Sequence, residues 1–256
     1  MTNLAMWSGP RNISTAMMYA FGNRADCAAW DEPFYAFSLV HRGNDHPMRD
    51  AVIAANDTDY GRLVARCLAP AERPVFYQKH MTHHMLEGHD RTWINALTNA
   101  FLIRTPERVL ASFAQKWSEV SLRDTGLVEQ AEIFDQVADH LGTAPPVVDA
   151  EDVLADPPDV LAKLCAACGI AFDAAMLAWP AGPKPFDGVW APHWYNAVWA
   201  STGLAKGEDK AVVLPGELQR IADQARPLYE KMRPYRIRTG ASGRPDGSRQ
   251  GPPTPS

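Results

Sequence analysis

Residues 4–22, LAMWSGPRNISTAMMYAFG, decide how the chain begins to fold. They predict a short apolar strand, a tight turn at Gly9-Pro10, and a helix that opens between Asn12 and Thr15. The first N–H groups of a helix have no partner inside the helix, and its dipole is positive at that end, so such a turn can hold an anion. Arg11 adds a full positive charge to the turn. The stretch therefore predicts an anion site at the end of the first strand.

A second stretch of the same kind lies about ninety residues later. Residues 101–113, FLIRTPERVLASF, predict a strand, a turn and a helix, with Pro106 suited to the first helical turn. Arg104 stands at the strand end, and Ser112 follows eight residues later inside the helix. Two anion sites at two strand ends indicate a ligand with two separated acidic groups.

Strand and helix patterns alternate along the rest of the chain, which is typical of a parallel α/β sheet. The patterns predict strands near residues 4–7, 28–30, 75–78, 100–103 and 147–149. They predict helices near residues 13–21, 106–116, 129–141, 158–168 and 215–232. We expect one α/β domain over residues 1–237 and a disordered tail over 238–256, which is rich in Gly, Pro and Ser.

Composition excludes several classes of protein. The 256 residues carry a net charge of −5 with no basic stripe, which argues against a nucleic-acid partner. No apolar run approaches the roughly 20 residues that cross a bilayer, and the first residues lack the basic-then-apolar pattern that is typical of a signal peptide. Four cysteines in a chain of this length do not indicate a disulfide framework. We expect a soluble cytoplasmic protein with no membrane partner; the oligomeric state stays open.

The first turn is not the phosphate loop of an ordinary nucleoside triphosphatase. Residues 9–15, GPRNIST, lack the second Gly and the Lys-Ser/Thr pair that hold the β/γ-phosphates and magnesium. A phosphotransferase that uses a nucleoside triphosphate and magnesium is therefore the disfavoured alternative.

Four segments resemble the sulfotransferase family, in the family's order. GPRNISTA is similar to its 5′-phosphosulfate loop, and IRTPERVLASF to its 3′-phosphate motif. PVVDAEDVLADPPDVLAKLCAACGI resembles its later strand and helix, and DGVWAPHW its Gly-x-Trp segment near the C-terminus. The resemblance spans about residues 4–235. It implies a P-loop-like three-layer αβα fold with a mostly parallel sheet of about five strands.

The resemblance also implies a donor and a set of residues that hold it. The donor is 3′-phosphoadenosine 5′-phosphosulfate (PAPS), which transfers its sulfuryl group to a hydroxyl or amine of a small acceptor. The donor-binding residues that it implies are Arg11, Asn12, Ile13, Ser14, Thr15, Arg104, Ser112, Gly188 and Trp190. The family often has an aromatic residue after the Ser/Thr pair, and here Ala16 stands there. We expect either that adenine stacks elsewhere, with Trp190 as the candidate, or that the site is altered.

Sulfuryl transfer needs a base for the acceptor's proton and a cation near the reacting oxygens. Glu32 follows the second predicted strand, where some branches of the family place a catalytic Glu. His80 follows Lys79 at the end of the third predicted strand, one position before the family's His. Glu32 is the preferred base and His80 the alternative. We expect Arg11 and then Lys79 to supply the positive charge.

Two further questions stay open at this point. Ala16 and the shifted His80 leave room for a non-catalytic nucleotide-binding protein. His80, His83, His84 and His89 crowd one segment, yet no Glu lies between a helically spaced pair as in metalloproteases. We therefore predict no metal site.

Overall fold

A computed structural model describes residues 1–43, 46–114, 120–204 and 212–240 of the chain. Residues 241–256, most of the expected tail, lie outside the described part. So do residues 115–116, the expected end of one helix. In the described part, no helix is both long enough and apolar enough to span a membrane.

Five parallel strands form one sheet in the order β2-β3-β1-β4-β5. The strands are β1 (Thr2–Ser8), β2 (Cys27–Asp31), β3 (Val75–Met81), β4 (Thr98–Ile103) and β5 (Val147–Asp149). Each contains the core of one strand expected from the sequence. The prediction of a five-stranded parallel α/β sheet is confirmed.

Eleven α-helices are described. They are α1 (Ser14–Gly22), α2 (Tyr35–Arg42), α3 (Arg49–Ala55), α4 (Tyr60–Leu68), α5 (Pro106–Phe113), α6 (Leu127–Leu141), α7 (Ala150–Ala155), α8 (Pro157–Ala167), α9 (Ala191–Trp194), α10 (Asn196–Trp199) and α11 (Gly216–Met232). Short 3-10 helices cover Thr82–His84, Thr92–Ala96, Arg123–Thr125, Ala174–Leu177 and Arg233–Tyr235.

Helices cover both faces of the sheet, because side chains of successive strand residues point to opposite faces. Leu4 and Met6 of β1 pack in one buried cluster with residues of α1, α3 and α8. Ala5 and Trp7 pack in the other with residues of α4, α6 and α11. The expected three-layer αβα architecture is therefore confirmed.

The region between β2 and β3 holds three helices that the sequence patterns did not indicate. Tyr35 and Leu39 of α2 belong to the first cluster, whereas Phe34 and Phe37 belong to the second. Helix α2 therefore contacts both clusters. The three helices span only eight, seven and nine residues, so each presents a short periodic pattern in the sequence.

The sheet order fixes the place of the candidate site. Strand β1 lies between β3 and β4, so the turn after β1 emerges where successive connections leave in opposite directions. In open α/β sheets, ligands bind in the crevice at the carboxyl ends of the strands at such a point. The turns after β1, β2, β3 and β4 all converge there.

Candidate active site

A cavity of about 700 Å³ opens at the carboxyl ends of the strands. Nine of the twelve residues expected to act in the site line it. They are Arg11, Asn12, Ile13, Ser14, Thr15, Glu32, Lys79, Arg104 and Ser112. His80, Gly188 and Trp190 do not line it, so one cavity unites both expected anion sites with one of the two candidate bases.

The turn after β1 is held in a strained conformation. Arg11 and Ile13 have positive φ angles of 61° and 44°, and Ile13 caps α1 without a side-chain hydrogen bond. A β-branched residue in the left-handed region is unusual, and such strain is often found at binding sites. A Cβ at Gly9 would lie 2.0 Å from the Thr125 carbonyl oxygen, so only glycine fits here. The first N–H groups of α1 therefore remain available to an anion.

Arg11, Ser112 and Arg104 meet beside this turn. Arg11 Nε donates to Ser112 Oγ at 2.9 Å, and an Arg104 terminal nitrogen donates to the Arg11 carbonyl at 3.0 Å. Burial and the charge of Arg104 lower the pKa of Arg11. Glu151 balances part of the charge, at 3.2 Å from Arg104 Nε. Two guanidinium groups held this close make a site that favours anionic oxygens.

Asn12 anchors the turn. Its Nδ2 donates to the Leu102 carbonyl at 2.7 Å, and the residue is only 3% exposed. The Asn12 amide nitrogen thus ties the turn after β1 to the end of β4, whereas its side-chain oxygen is buried without a partner.

Glu32 lies across the cavity in a buried charged cluster with Lys79, Asp31 and Tyr195. Lys79 Nζ lies 2.6 Å from Glu32 Oε1, 2.9 Å from Asp31 Oδ1 and 2.8 Å from the Tyr195 hydroxyl. The Glu32 backbone has a φ of 42°, and its N–H donates to the Lys79 carbonyl at 3.0 Å. Strand pairing and the ammonium group together fix where the Glu32 carboxylate sits.

Lys79 has no N–H left for a ligand in this arrangement. An ammonium group has three donors, and all three have partners within the cluster. These bonds hold Glu32 in place, and the expectation that Lys79 supplies positive charge near the reacting oxygens stays a prediction.

The environment of Glu32 suits a base. Burial raises the pKa of Glu32, and the nearby Asp31 charge acts in the same direction, while Lys79 opposes both. One ammonium serves two carboxylates, so the excess negative charge makes proton uptake easier. His84 Nε2 lies 4.0 Å from Glu32 Oε2, and burial lowers the pKa of His84, which keeps the ring neutral at neutral pH.

His80 lies on the opposite face of the sheet from Lys79, because the two are consecutive residues of β3. Its ring stacks on Trp7 with centroids 4.3 Å apart, and its Nε2 is 3.1 Å from Gln78 Oε1. His80 is 1% exposed, and burial lowers its pKa to about 3. The expectation that His80 is an alternative base is corrected, since it is a core residue.

Gly188 and Trp190 do not line the cavity; they bind Asp31 and Tyr195 of the charged cluster. Trp190 is 1% exposed, and its Nε1 donates to the Tyr195 hydroxyl at 3.0 Å. The Gly188 N–H donates to Asp31 Oδ2 at 3.2 Å, and a Cβ there would lie 2.3 Å from the Trp190 ring. The expected adenine stacking on Trp190 is therefore corrected.

Sequence reasoning missed Asp31 and Tyr195 as parts of the site. Asp31 stood beside Glu32 at a strand end, and that acidic pair was a usable signal. Tyr195 comes from a separate segment 116 residues after Lys79, and no sequence pattern links the two.

Comparison with known proteins agrees with this geometry. A family model described as a sulfotransferase domain matches residues 1–235. The branched-chain-amino-acid aminotransferase-like protein 2 of Arabidopsis thaliana is 34% identical over 228 residues, 89% of this chain and 40% of that protein. The chain thus spans about two fifths of the length of this curated relative.

Two solved structures share the fold at low sequence identity. The sulfotransferase domain from the Synechococcus PCC 7002 olefin synthase is 17% identical with a TM-score of 0.52, over 90% of this chain and 94% of that one. A sulfotransferase from Alicyclobacillus acidocaldarius is 11% identical with a TM-score of 0.53, over 91% and 95%. With the family match over nearly all of the described residues, the chain belongs to the sulfotransferase domain family.

Proposed function

We propose that the protein is a PAPS-dependent sulfotransferase that acts on a hydroxyl or amine of a small acceptor. The observation that carries this proposal is the single cavity, which brings the turn after β1, the Arg104–Ser112 pair and Glu32 together. The donor has two acidic ends, and the cavity offers them the N–H groups at the start of α1 and the adjoining cluster of Arg11, Arg104 and Ser112.

The residues of the cavity fit the donor. The N–H groups at the start of α1 and the Arg11 guanidinium would hold the 5′-phosphosulfate. Arg104 and the Ser112 hydroxyl would hold the 3′-phosphate; Ser112 accepts from Arg11 and still has its own O–H to donate. When bound, PAPS supplies the sulfuryl group that the acceptor receives.

The chain's own residues would remove the acceptor's proton and stabilise the charges of the reaction. Glu32 takes the proton from the acceptor's hydroxyl or amine, and its raised pKa makes it a better base than an ordinary carboxylate. Lys79 and the Tyr195 hydroxyl hold the cluster in place during that transfer. Arg11 neutralises negative charge on the reacting side of the donor.

A thermal-shift titration tests the donor assignment. We expect 3′,5′-adenosine bisphosphate to raise the midpoint of unfolding and ADP with magnesium to have little effect, since a ligand that binds the folded state stabilises it. A larger shift with ADP and magnesium would favour a phosphotransferase.

Release of 3′,5′-adenosine bisphosphate from PAPS with a panel of acceptors then separates an enzyme from a binding protein. We expect acceptor-dependent release. Binding of the bisphosphate without release for any acceptor would leave only the nucleotide-binding protein.

A further inference from the structure

One face of α2 forms a wall of the cavity beyond Glu32. Tyr35, Ser38, Leu39 and Arg42 line the cavity, and their spacing of three, four and seven residues places them on one helix face. The first three are buried, and Arg42 is exposed at the far end. At a rise of 1.5 Å per residue, Arg42 lies about 10 Å along the helix from Tyr35.

Arg42 is the one cation of the cavity, within the described residues, that neither the donor nor the charged cluster uses. The other permanent cations are Arg11, Arg104 and Lys79. Arg42 donates from a terminal nitrogen to the His83 carbonyl. Among the described residues no carboxylate forms an ion pair with it, although its charge acts on the carboxyl of Glu129. This bond orients the guanidinium and leaves its other N–H groups for a ligand.

The wall between Glu32 and Arg42 is aromatic. The Tyr35 ring stacks on His84 with centroids 4.8 Å apart, and His46 contacts Tyr35 edge-on at 5.6 Å. Trp194 lies 6.0 Å from His46. Burial lowers the pKa of His84, so that ring carries no charge at neutral pH, and these rings suit a planar or apolar body.

Asp124 also lines the cavity, and its carboxylate is held by a neighbouring residue. Asp124 Oδ2 accepts from the N–H and the hydroxyl of Ser121, at 2.8 Å and 2.7 Å. These two bonds close the turn over residues 121–124.

We propose that the acceptor is a hydroxy acid, whose hydroxyl meets Glu32 and whose anionic group binds Arg42 at the cavity mouth. This inference rests on the proposed function, and it adds the acceptor's chemical class. The acceptor's length follows from the wall: its two polar ends are separated by an extended, largely apolar body.

The test measures acceptor binding directly, with and without 3′,5′-adenosine bisphosphate. The probes are para-hydroxybenzoate, para-hydroxyphenylpropionate and para-hydroxycinnamate, each paired with its uncharged methyl ester, and a para-hydroxyaryl phosphonate as a tetrahedral anion. The variant is Arg42→Gln. Arg220→Gln is the matched control, because Arg220 is an exposed arginine of α11 outside the cavity.

We expect the acid of suitable length to bind about 10- to 100-fold more tightly than its ester, as a hydrogen bond between charged groups provides. Arg42→Gln should remove that preference and leave ester binding unchanged, and the control should change neither. An anion preference that Arg42→Gln removes supports the proposal. Equal binding of acids and esters across the panel, or a preference that survives Arg42→Gln, overturns it.

Two further outcomes separate this inference from the proposed function. If Arg42→Gln weakens the bisphosphate as much as the acids, Arg42 belongs to the donor site and the inference fails. If the acids show the Arg42-dependent preference but the bisphosphate does not bind, the donor assignment fails and the anion site stands.

Discussion

Glu32→Gln tests the assignment of the base most sharply. The amide is nearly the same size as the carboxylate, and Lys79 keeps its bonds to Asp31 and the Tyr195 hydroxyl. The change therefore removes the proton acceptor and spares most of the cluster. A positioned general base accelerates a reaction by about 10²- to 10⁴-fold, which corresponds to a decrease of about 2.7–5.4 kcal/mol in the activation barrier.

The assay is the initial rate of 3′,5′-adenosine bisphosphate release at saturating donor and acceptor. We expect kcat to fall by the factor given above while the affinity for the bisphosphate stays the same, because Glu32 is not among the donor-binding residues. The wild-type rate should fall as the pH drops through the raised pKa of Glu32, since only the carboxylate can accept the proton. The rate of the variant should not show this fall at low pH, which is the acidic limb of the pH–rate profile.

His80→Gln is the matched control. His80 lies in the core against Trp7, so this variant should lower stability and leave the rate of folded protein nearly unchanged. The reasoning is refuted if Glu32→Gln keeps the wild-type rate, or if His80→Gln loses the acidic limb without losing stability.

Three further substitutions test the fold around the site, each by urea unfolding. Lys79→Met should cost about 3–5 kcal/mol, because it leaves two buried carboxylates without their cation; a near-neutral effect would contradict the charged cluster. Gly188→Ala should cost about 1–3 kcal/mol by forcing a methyl group into an indole ring, whereas Gly216→Ala meets nothing within 4 Å and should cost far less. Burial raises the pKa of Asp149 to about 7, so the folded state holds a proton that the unfolded state has lost. The unfolding free energy of the wild type should therefore fall, relative to that of Asp149→Asn, by up to about 1.4 kcal/mol per pH unit as the pH rises from about 4 to 7. If the unfolding free energies of the two proteins change with pH in the same way, Asp149 does not hold a proton in the folded state.

The sequence predicted the sheet well because its signals are local. Each of the five strands is a short apolar run, and α1, α5, α6, α8 and α11 have apolar spacing, a favourable first turn or a closing glycine that acts within a few residues. Helices α2, α3 and α4 were not predicted because they span only eight, seven and nine residues, which is less than the length over which helical periodicity is read with certainty.

The parallel topology of the sheet made part of the site predictable from the sequence. Arg11, Glu32 and Arg104 follow three different strands, and the carboxyl ends of parallel strands meet at one edge. Lys79 and His80 are neighbours in one strand, so period-two alternation alone shows that only one of them can face the cavity.

The rest of the site depends on distances between remote segments. That Tyr195 takes the third N–H of Lys79, and that Trp190 lies behind it, follows from the packing of residues 188–195 against β2 and β3. No spacing along the chain encodes that contact.

The central claim is that the cavity holds a ligand with two separated phosphate groups, one of them on Arg104. Calorimetric titration of the wild type and Arg104→Ala with 3′,5′-adenosine bisphosphate and with 5′-AMP, which lacks the 3′-phosphate, tests it most directly. We predict that the wild type binds the bisphosphate about 10- to 100-fold more tightly than AMP, and that Arg104→Ala abolishes this difference; its affinity for AMP should change far less, by the loss of the bond to the Arg11 carbonyl. Equal affinities of the wild type for both nucleotides, or an Arg104→Ala variant that still prefers the bisphosphate, would contradict the account.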